Sequence, residues 1–432
     1  MYSIRIIFTT GVFTMNNVVI SPELLRKKKM MILICGIVIF FLTSMAKVLI
    51  PATIFEDLQK TGMDVNRIST LGALFLYAYA ASQLLMGCFS DRYGGVRILL
   101  IGGSMFSAGT IIFPLLDNYF FMLPARIITG FGAGTIFLGV AKLLDDLFSK
   151  RFGIALGIVL VFGYLGPTTG TMPMVKLVET IGWRPAMILP GMIALIPLVL
   201  IFLLKSGTIV PVTRGQTFEP LMVMLKNKNM WFASLACATI YGAYYTLLGQ
   251  IGQKTLTDLY ALPAAKAALW MMVLTIIVAG NTFLSNMYLS LAGNRRKVMI
   301  IAGVLLSLAG ILLAQYGFSV QGKAVYFIVS AILIAFPAGF FSIFGIIAKE
   351  LNPPRYVAMS VAYINFMAFL FISSYQNITG WILKAYPVRP GSLAFPTQAY
   401  NAVYLFFLAG AIISLLGAVL MPETKNRVQQ ED

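Results

Sequence analysis

Two basic residues, Lys47 and Arg126, lie inside long runs of apolar residues, where a charge is costly. If both runs cross a bilayer as helices, 1.5 Å per residue puts each cation roughly 9 to 10 Å from the outer end of its helix. An intramembrane cation costs at least ~3 kcal/mol and usually faces water or a partner. Because no acidic residue lies in the middle of these runs, we expect a bound anion to supply the negative charge. Lys47 could instead extend its stem to the surface, and Arg126 could bond neighbouring carbonyl groups.

Polar and aromatic residues at membrane depth in other apolar runs are further candidates for a binding site. Hydroxyl and amide groups in a bilayer line a cavity or bond one helix to another, and we expect the second role for about half of them. The preferred contacts for a bound molecule are Tyr77, Tyr164, Tyr241, Tyr244 and Asn365. The wider set also contains Tyr79, Gln83, Thr168, Thr169, Tyr245, Gln250, Asn281, Gln376 and Asn377.

Enzyme chemistry has no support in the sequence. The chain has no histidine, and its glycine-rich segment Gly130–Gly134 is embedded in an apolar run, where it cannot cradle phosphates. No carboxylate pair, nucleophile–base set or metal-ligand spacing is present, and the three cysteines form no disulfide pattern. We therefore expect no catalytic residue, no metal and no cofactor.

The composition indicates what kind of elements hold the two cations. Hydrophobic residues make up 59% of the 432-residue chain and charged residues only 11%, whereas soluble domains carry about a quarter charged residues. The net charge of +17 would suggest nucleic-acid binding in a soluble protein. In a membrane protein it is better explained by basic loops on the cytoplasmic side, so no nucleic-acid partner is expected.

Twelve segments have about the 20 apolar residues that cross a bilayer. They fall at 30–53, 68–88, 96–116, 119–141, 153–177, 186–204, 230–253, 264–287, 298–317, 324–348, 357–381 and 402–421. The polar connection at 205–229 separates them six and six. The sequence therefore predicts an all-α membrane protein of twelve transmembrane helices in two six-helix bundles.

Loop charges predict the orientation of these segments. If the N-terminus is cytoplasmic, most of the 32 Lys and Arg residues lie in inner loops, which satisfies the positive-inside rule. Both termini are then cytoplasmic. The predicted domains are a tail (1–29), the first bundle (30–204), an inner loop (205–229), the second bundle (230–421) and a second tail (422–432).

The short loop between the second and third segments carries a motif of glycines and charges, Gly-x-x-x-Asp-Arg-x-Gly-x-x-Arg. A degenerate copy, Asn286–Arg296, falls between segments eight and nine, which indicates a repeated six-helix unit. The motif closely resembles the signature loop of the major facilitator superfamily. The matching residues are Gly87, Asp91, Arg92, Gly94 and Arg97.

Three weaker features agree with this resemblance. The run from Arg126 to Gly134 is similar to the family's arginine-glycine motif of the fourth span, and Pro422–Lys425 is similar to endings common in the family. Gly163-Tyr-Leu-Gly-Pro-Thr-Thr-Gly170 looks like its Gly-Pro motif of the fifth span. Within this motif, we expect Gly163, Gly166, Pro167 and Gly170 to bend or thin the helix.

The charged loop is expected to act as a conformational latch. Gly87 lets two helices approach, and Gly94 permits a tight turn. Charges close to hydrocarbon need partners, so we predict that Arg92 or Arg97 pairs with Asp145 or Asp146. Asp91 is expected to cap a helix of the second bundle. The resemblance implies that this contact breaks as the bundles move. An ordinary basic turn is the alternative.

The resemblance implies a secondary transporter in which spans one, four, seven and ten line a central cavity. We expect it to move a small organic anion or zwitterion, held by Lys47 and Arg126, and to be coupled to protons. We expect a monomer that spans a bacterial-type inner membrane. An efflux antiporter of drugs or metabolites is the alternative within transport, and a non-transporting membrane receptor is the alternative outside it.

Overall fold

A computed structural model describes residues 13–15, 18–148, 152–209, 219–353, 356–388 and 393–425. For residues 13–15, 18–20, 51–52, 87–92, 152–154, 156–157, 286 and 357–358 the description is limited to the backbone. Two short antiparallel strands, β1 (Phe13–Met15) and β2 (Val18–Ile20), precede the first helix. The rest of the described fold is helical.

The described part of the first half contains eight helices. They are α1 (Pro22–Val48), α2 (Phe55–Lys60), α3 (Val65–Tyr93), α4 (Gly95–Ile112), α5 (Tyr119–Phe148), α6 (Phe152–Thr169), α7 (Met172–Ile181) and α8 (Trp183–Leu204). A π-helical segment, Leu49–Thr53, continues α1, and a short 3-10 turn continues α4.

Nine helices lie in the described residues of the second half, of which the first is short and precedes its first long helix. They are α9 (Glu219–Lys226), α10 (Lys228–Thr246), α11 (Gly252–Tyr260), α12 (Ala264–Leu291), α13 (Arg296–Ser319), α14 (Ala324–Ala335), α15 (Phe341–Glu350), α16 (Val357–Lys384) and α17 (Thr397–Leu420). A π-helical segment links α10 to α11, and a 3-10 segment links α14 to α15.

Nine helical spans within the described ranges are long and apolar enough to cross a membrane, and ten if α6 and α7 form one bent span. The chain is therefore a multi-pass membrane protein. The predicted segments 230–253 and 357–381 fall on the run from α10 to α11 and on α16, which do not meet that standard. The number of twelve spans and the side on which the termini lie remain predictions.

The two halves pack against each other chiefly along α3 with α16 and along α6 and α7 with α12. The end of the bundle that carries Glu56, Asp64 and Lys384 is called the outer end here, because the loop charges predict that it is external. The inner end carries Lys29 and Asp146. Within the first half, α5 lies directly on the backbone of α3. Gly130 permits this approach, because a Cβ at its position would collide with the carbonyl oxygen of Phe75.

The loop between the second and third predicted segments is shorter than expected. The backbone of α3 stays helical to Tyr93, beyond the predicted limit at residue 88, and the turn is made at Gly94 with φ +71°. Gly293, its counterpart in the second half, has φ +64°. Both glycines adopt a positive φ that other residues rarely tolerate, although residues 292–295 separate α12 from α13 whereas Gly94 alone separates α3 from α4.

Candidate functional site

A cavity of about 100 Å³ lies between the two halves at mid-depth. Helices α1, α3, α5 and α6 line it from the first half, and α10, α12, α16 and the segment from α14 to α15 line it from the second. Its aromatic and polar lining residues are Phe40, Ser44, Lys47, Tyr79, Gln83, Phe137, Tyr164, Tyr241, Tyr244, Tyr245, Phe341, Asn365 and Phe369. None of the described lining residues is acidic.

Lys47 is in the last turn of α1 and reaches this cavity. Its Nζ lies 4.5 Å from the ring centroid of Tyr79 and 5.2 Å from that of Phe369, so one ring from each half faces the cation. The electron-rich faces of these rings attract the ammonium group. Among the described side chains, no carboxylate lies within salt-bridge distance of it.

Arg126 takes a different position from the one predicted. Its side chain is 3% exposed and does not line the cavity. The guanidinium packs between α3 and the 3-10 turn that continues α4. Its Nε donates to the carbonyl oxygen of Leu71 at 3.1 Å, and Cζ lies 4.6 Å from the ring centroid of Phe75 and 5.4 Å from that of Phe113. The predicted site with two cations is therefore not formed in this structure, which brings only Lys47 to the cavity.

Four of the five other predicted contacts, Tyr164, Tyr241, Tyr244 and Asn365, do line the cavity. The hydroxyl of Tyr241 is buried and has no hydrogen-bond partner. Tyr77 does not line the cavity, because its hydroxyl donates to Ser374 Oγ at 3.1 Å in the seam between α3 and α16.

Three of the lining residues that were absent from the preferred set contact Lys47 or Asn365. Tyr79 and Gln83 belong to the wider polar set and lie one turn apart on α3, so their spacing could have paired them. Gln83 Oε1 accepts a hydrogen bond from Asn365, and Gln83 Nε2 has no partner. Phe369 carried no signal, since an aromatic ring in an apolar helix looks like an ordinary core residue.

Polar contacts close the cavity towards the outer end. Four of them cross between the halves. They are Asp64–Lys384 at 3.0 Å, Glu56–Lys254 at 3.8 Å, Ser69–Gln250 at 2.6 Å and Thr168–Thr275 at 2.9 Å. In this conformation these contacts hold the outer ends of the two halves together.

The predicted latch is only partly described. Gly87, Asp91 and Arg92 fall where only the backbone is described, so their pairing stays a prediction. The expected pair between Arg97 and Asp146 is not formed: Asp146 accepts instead from Lys29 of α1 at 2.9 Å. Asp145 is exposed at the inner end. Lys29 reaches Asp146 because α1 begins at Pro22, before Lys29, and packs against α5.

The glycines and proline of α6 lie where this helix meets α1 and the cavity. Gly163 and Pro167 line the cavity, and a Cβ on Gly166 would lie 2.6 Å from the carbonyl oxygen of Phe41. Helix α6 ends at Thr169, and the chain bends by 44° before α7 continues. Gly170 lies at this break, where a Cβ would lie 2.8 Å from Val48.

A membrane bundle whose two halves enclose a polar-lined cavity at mid-depth has the architecture of a secondary transporter. The sequence profile described as Major Facilitator Superfamily matches residues 32–374, and the chain belongs to this family. The names of its relatives point to transporters and not to enzymes.

The curated relatives match in part of their length. The probable sulfoacetate transporter SauU of Cupriavidus necator is 24% identical over 138 residues, which cover 32% of this chain and 32% of the relative. The quinolone resistance protein NorA of Staphylococcus aureus is 24% identical over 247 residues, covering 55% of this chain and 59% of the relative. In both cases the matched region is less than two thirds of the relative.

Solved structures of low sequence identity share the fold. A bacterial homologue of the human lysosomal transporter Spinster, inward-facing and unoccupied, aligns with a TM-score of 0.72 and 15% identity over 91% of this chain and 97% of its own. The D-xylose-proton symporter aligns with a TM-score of 0.68 and 16% identity over 93% of this chain and 99% of its own.

Proposed function

We propose that this chain is a secondary active transporter that moves a small organic anion or zwitterion by alternating access. The observation that carries the proposal is the ammonium group of Lys47, which lines the cavity between the halves without an acidic partner among the described residues. A charge at this depth costs at least ~3 kcal/mol, and a bound anion would offset that cost. Lys47 is therefore the main anion-binding group of the proposed site.

The size of the cavity and its other polar groups favour a small substrate. The cavity of about 100 Å³ is smaller than the ~300–1,000 Å³ usual for drug-sized ligands. Unpaired polar atoms, the Tyr241 hydroxyl and Gln83 Nε2, can hydrogen-bond a carboxylate or sulfonate oxygen. The similarity to a probable sulfoacetate transporter, whose named substrate is an organic anion, agrees with this chemistry.

Proton coupling is the second part of the proposal. The chain has no histidine, and no described residue lining the cavity is acidic. The proton would therefore travel on the substrate, on Asp91 or an aspartate at the end of a span, or on Lys47 itself. Uniport and anion exchange are the other modes, and a pH gradient distinguishes them from proton coupling.

Efflux of drugs is the alternative function. Its support is the similarity to NorA over 55% of this chain and the aromatic lining of the cavity. A cationic drug would be repelled by Lys47, so this alternative requires neutral or anionic compounds.

Uptake into proteoliposomes tests the proposal. Carboxylates, sulfonates, phosphorylated compounds, amino acids and a cationic dye are supplied with and without a pH gradient. We expect uptake of an anion or zwitterion that an inward proton gradient accelerates. Lys47→Met should abolish this uptake, whereas Lys266→Met, which removes an exposed outer cation, should not. Anion uptake that persists in Lys47→Met would rule out the proposed site, and transport of the dye alone would favour efflux.

A further inference from the structure

A groove of about 540 Å³ lies on the first half at the inner end, away from the central cavity. Arg97 lines one side, and the last turn of α8 with the segment after it lines the other. Helix α4 begins at Gly95 and α8 ends at Leu204, and both helices are long and apolar enough to span a membrane. The groove therefore lies where two spans leave the hydrocarbon, at the depth of lipid head groups.

Positive charge converges on this groove. The Nη1 atom of Arg97 is buried and has no hydrogen-bond partner. Lys205 lines the groove with its Nζ 3.5 Å from the ring centroid of Phe202. Lys28 of α1 donates to the carbonyl oxygen of Ser206, another lining residue, at 3.3 Å. Two cations thus line a space in which no described lining residue is acidic, and Lys28 lies beside it.

The nearby acids do not neutralise these cations. Asp146, one of the two acids predicted to pair with Arg92 or Arg97, is held by Lys29 at 2.9 Å. A buried guanidinium nitrogen without an acceptor is unusual, because nearly all buried polar groups are hydrogen-bonded. No acidic group in the described part of the protein therefore balances the charge of this site.

The apolar side of the groove indicates where that anion comes from. Phe202 and Leu203 are exposed, and Val199 and Leu200, one turn earlier on α8, are exposed as well. In a spanning helix such a face contacts acyl chains. A ligand that fits both parts has a negatively charged head and an apolar tail.

We propose that this groove binds the head group of an anionic phospholipid, with its phosphate held by Arg97 and Lys205 and its acyl chains along the exposed face of α8. Arginine suits this role because its planar fork can bond two phosphate oxygens at once. The site is independent of what the central cavity carries.

Native mass spectrometry of the full chain tests this proposal. The detergent-solubilised protein is titrated with phosphatidylglycerol or with phosphatidylcholine, and the bound lipids are counted. The wild-type protein should retain phosphatidylglycerol in preference to phosphatidylcholine. Since each basic group near a membrane surface contributes about 1 kcal/mol, the double variant Arg97→Gln/Lys205→Gln should bind it about 30-fold more weakly. Lys226→Gln, an exposed cation of α9, is the matched control and should bind as wild type does.

Two further arms keep the result decisive. If the double variant does not fold, as a lost melting transition would reveal, Lys205→Gln alone should still weaken binding about 5-fold. Inorganic phosphate at the lipid concentration should not displace phosphatidylglycerol. Equal binding of the two lipids by wild type, unchanged binding by the folded variants, or displacement by phosphate would each overturn the proposal.

Discussion

Lys47 and Arg126 are cations of the same half, at depths that the sequence makes similar, yet their surroundings differ. Arg126 is enclosed by α3, the 3-10 turn that continues α4 and its own helix, with a carbonyl acceptor and two aromatic rings. Lys47 has two aromatic rings but no described oxygen acceptor, and it faces a cavity shared by both halves. The difference teaches that depth does not identify a binding group. A better criterion is a cation that has no oxygen acceptor and faces a cavity shared by both halves.

The strongest test of this comparison separates transport from stability at Lys47. We expect Lys47→Met to lower uptake of the anion by at least about 30-fold, because truncating one partner of a buried charge pair costs ~2–5 kcal/mol. The melting temperature of the substrate-free protein should stay the same or rise, since an unpaired intramembrane cation is removed. Uptake kinetics and thermal unfolding in detergent measure the two effects. A melting temperature that falls together with uptake would assign Lys47 a structural role.

Arg126→Met should give the opposite result. It removes a hydrogen bond from a charged donor and two ring contacts, so we expect a loss of about 1.5–3 kcal/mol in stability. Uptake per folded molecule should change by less than about 3-fold, because the guanidinium does not line the cavity. Both quantities are measured as for Lys47. A large fall in uptake by a fully folded Arg126→Met protein would break the comparison.

The rings provide a finer test, because each cation has its own. Phe369→Leu removes a ring that faces Lys47, and Phe75→Leu removes one that faces Arg126. With a cation–π contribution of ~0.5–1 kcal/mol, Phe369→Leu should raise KM for the anion by about 2- to 5-fold. Phe75→Leu should leave KM unchanged. Equal effects of the two substitutions on KM would contradict the assignment.

The smallest effect concerns access from the outer end. Asp64→Asn removes a half-exposed ion pair with Lys384, worth at most ~1 kcal/mol, and should favour opening of the outer end by no more than about 5-fold. In a chain without its native cysteines, Ser44→Cys in the cavity should then react faster with an external thiol reagent. Thr129→Cys, beside the packed Arg126, should stay protected. Asp117→Asn, whose ion pair with Arg184 lies within one half, is the control.

The sequence was informative about elements and much less so about the directions of side chains. The helices begin and end close to the predicted segments because hydropathy reports the length of chain in hydrocarbon. The face on which a residue lies depends on how the helix is rotated by its neighbours. Apolar residues of α5 occupy all faces of this helix. Its sequence therefore shows no periodicity that would predict the direction of Arg126.

The same limit explains the other differences. Asp145 or Asp146 was predicted to pair with the charged loop because both lie at the same inner surface, whereas in the structure Asp146 accepts from Lys29 of α1. Phe369 became recognisable as a cavity residue only when α16 was set beside α3. Tyr77 and Tyr79 differ by two positions on one helix, and that rotation of about 200° decides which of them meets Lys47.

The charge pairs that cross between the halves at the outer end differ in how salt reaches them. Asp64 and Lys384 are both partly exposed, whereas in the pair of Glu56 with Lys254 only Glu56 is, because Lys254 is buried and is also held by Asp258 at 3.2 Å. Dissolved ions screen exposed pairs far more than buried ones. Raising external ionic strength would therefore loosen the first pair more than the second, shifting the resting population towards outer-open molecules. The same protein would rest differently in a dilute and in a saline medium.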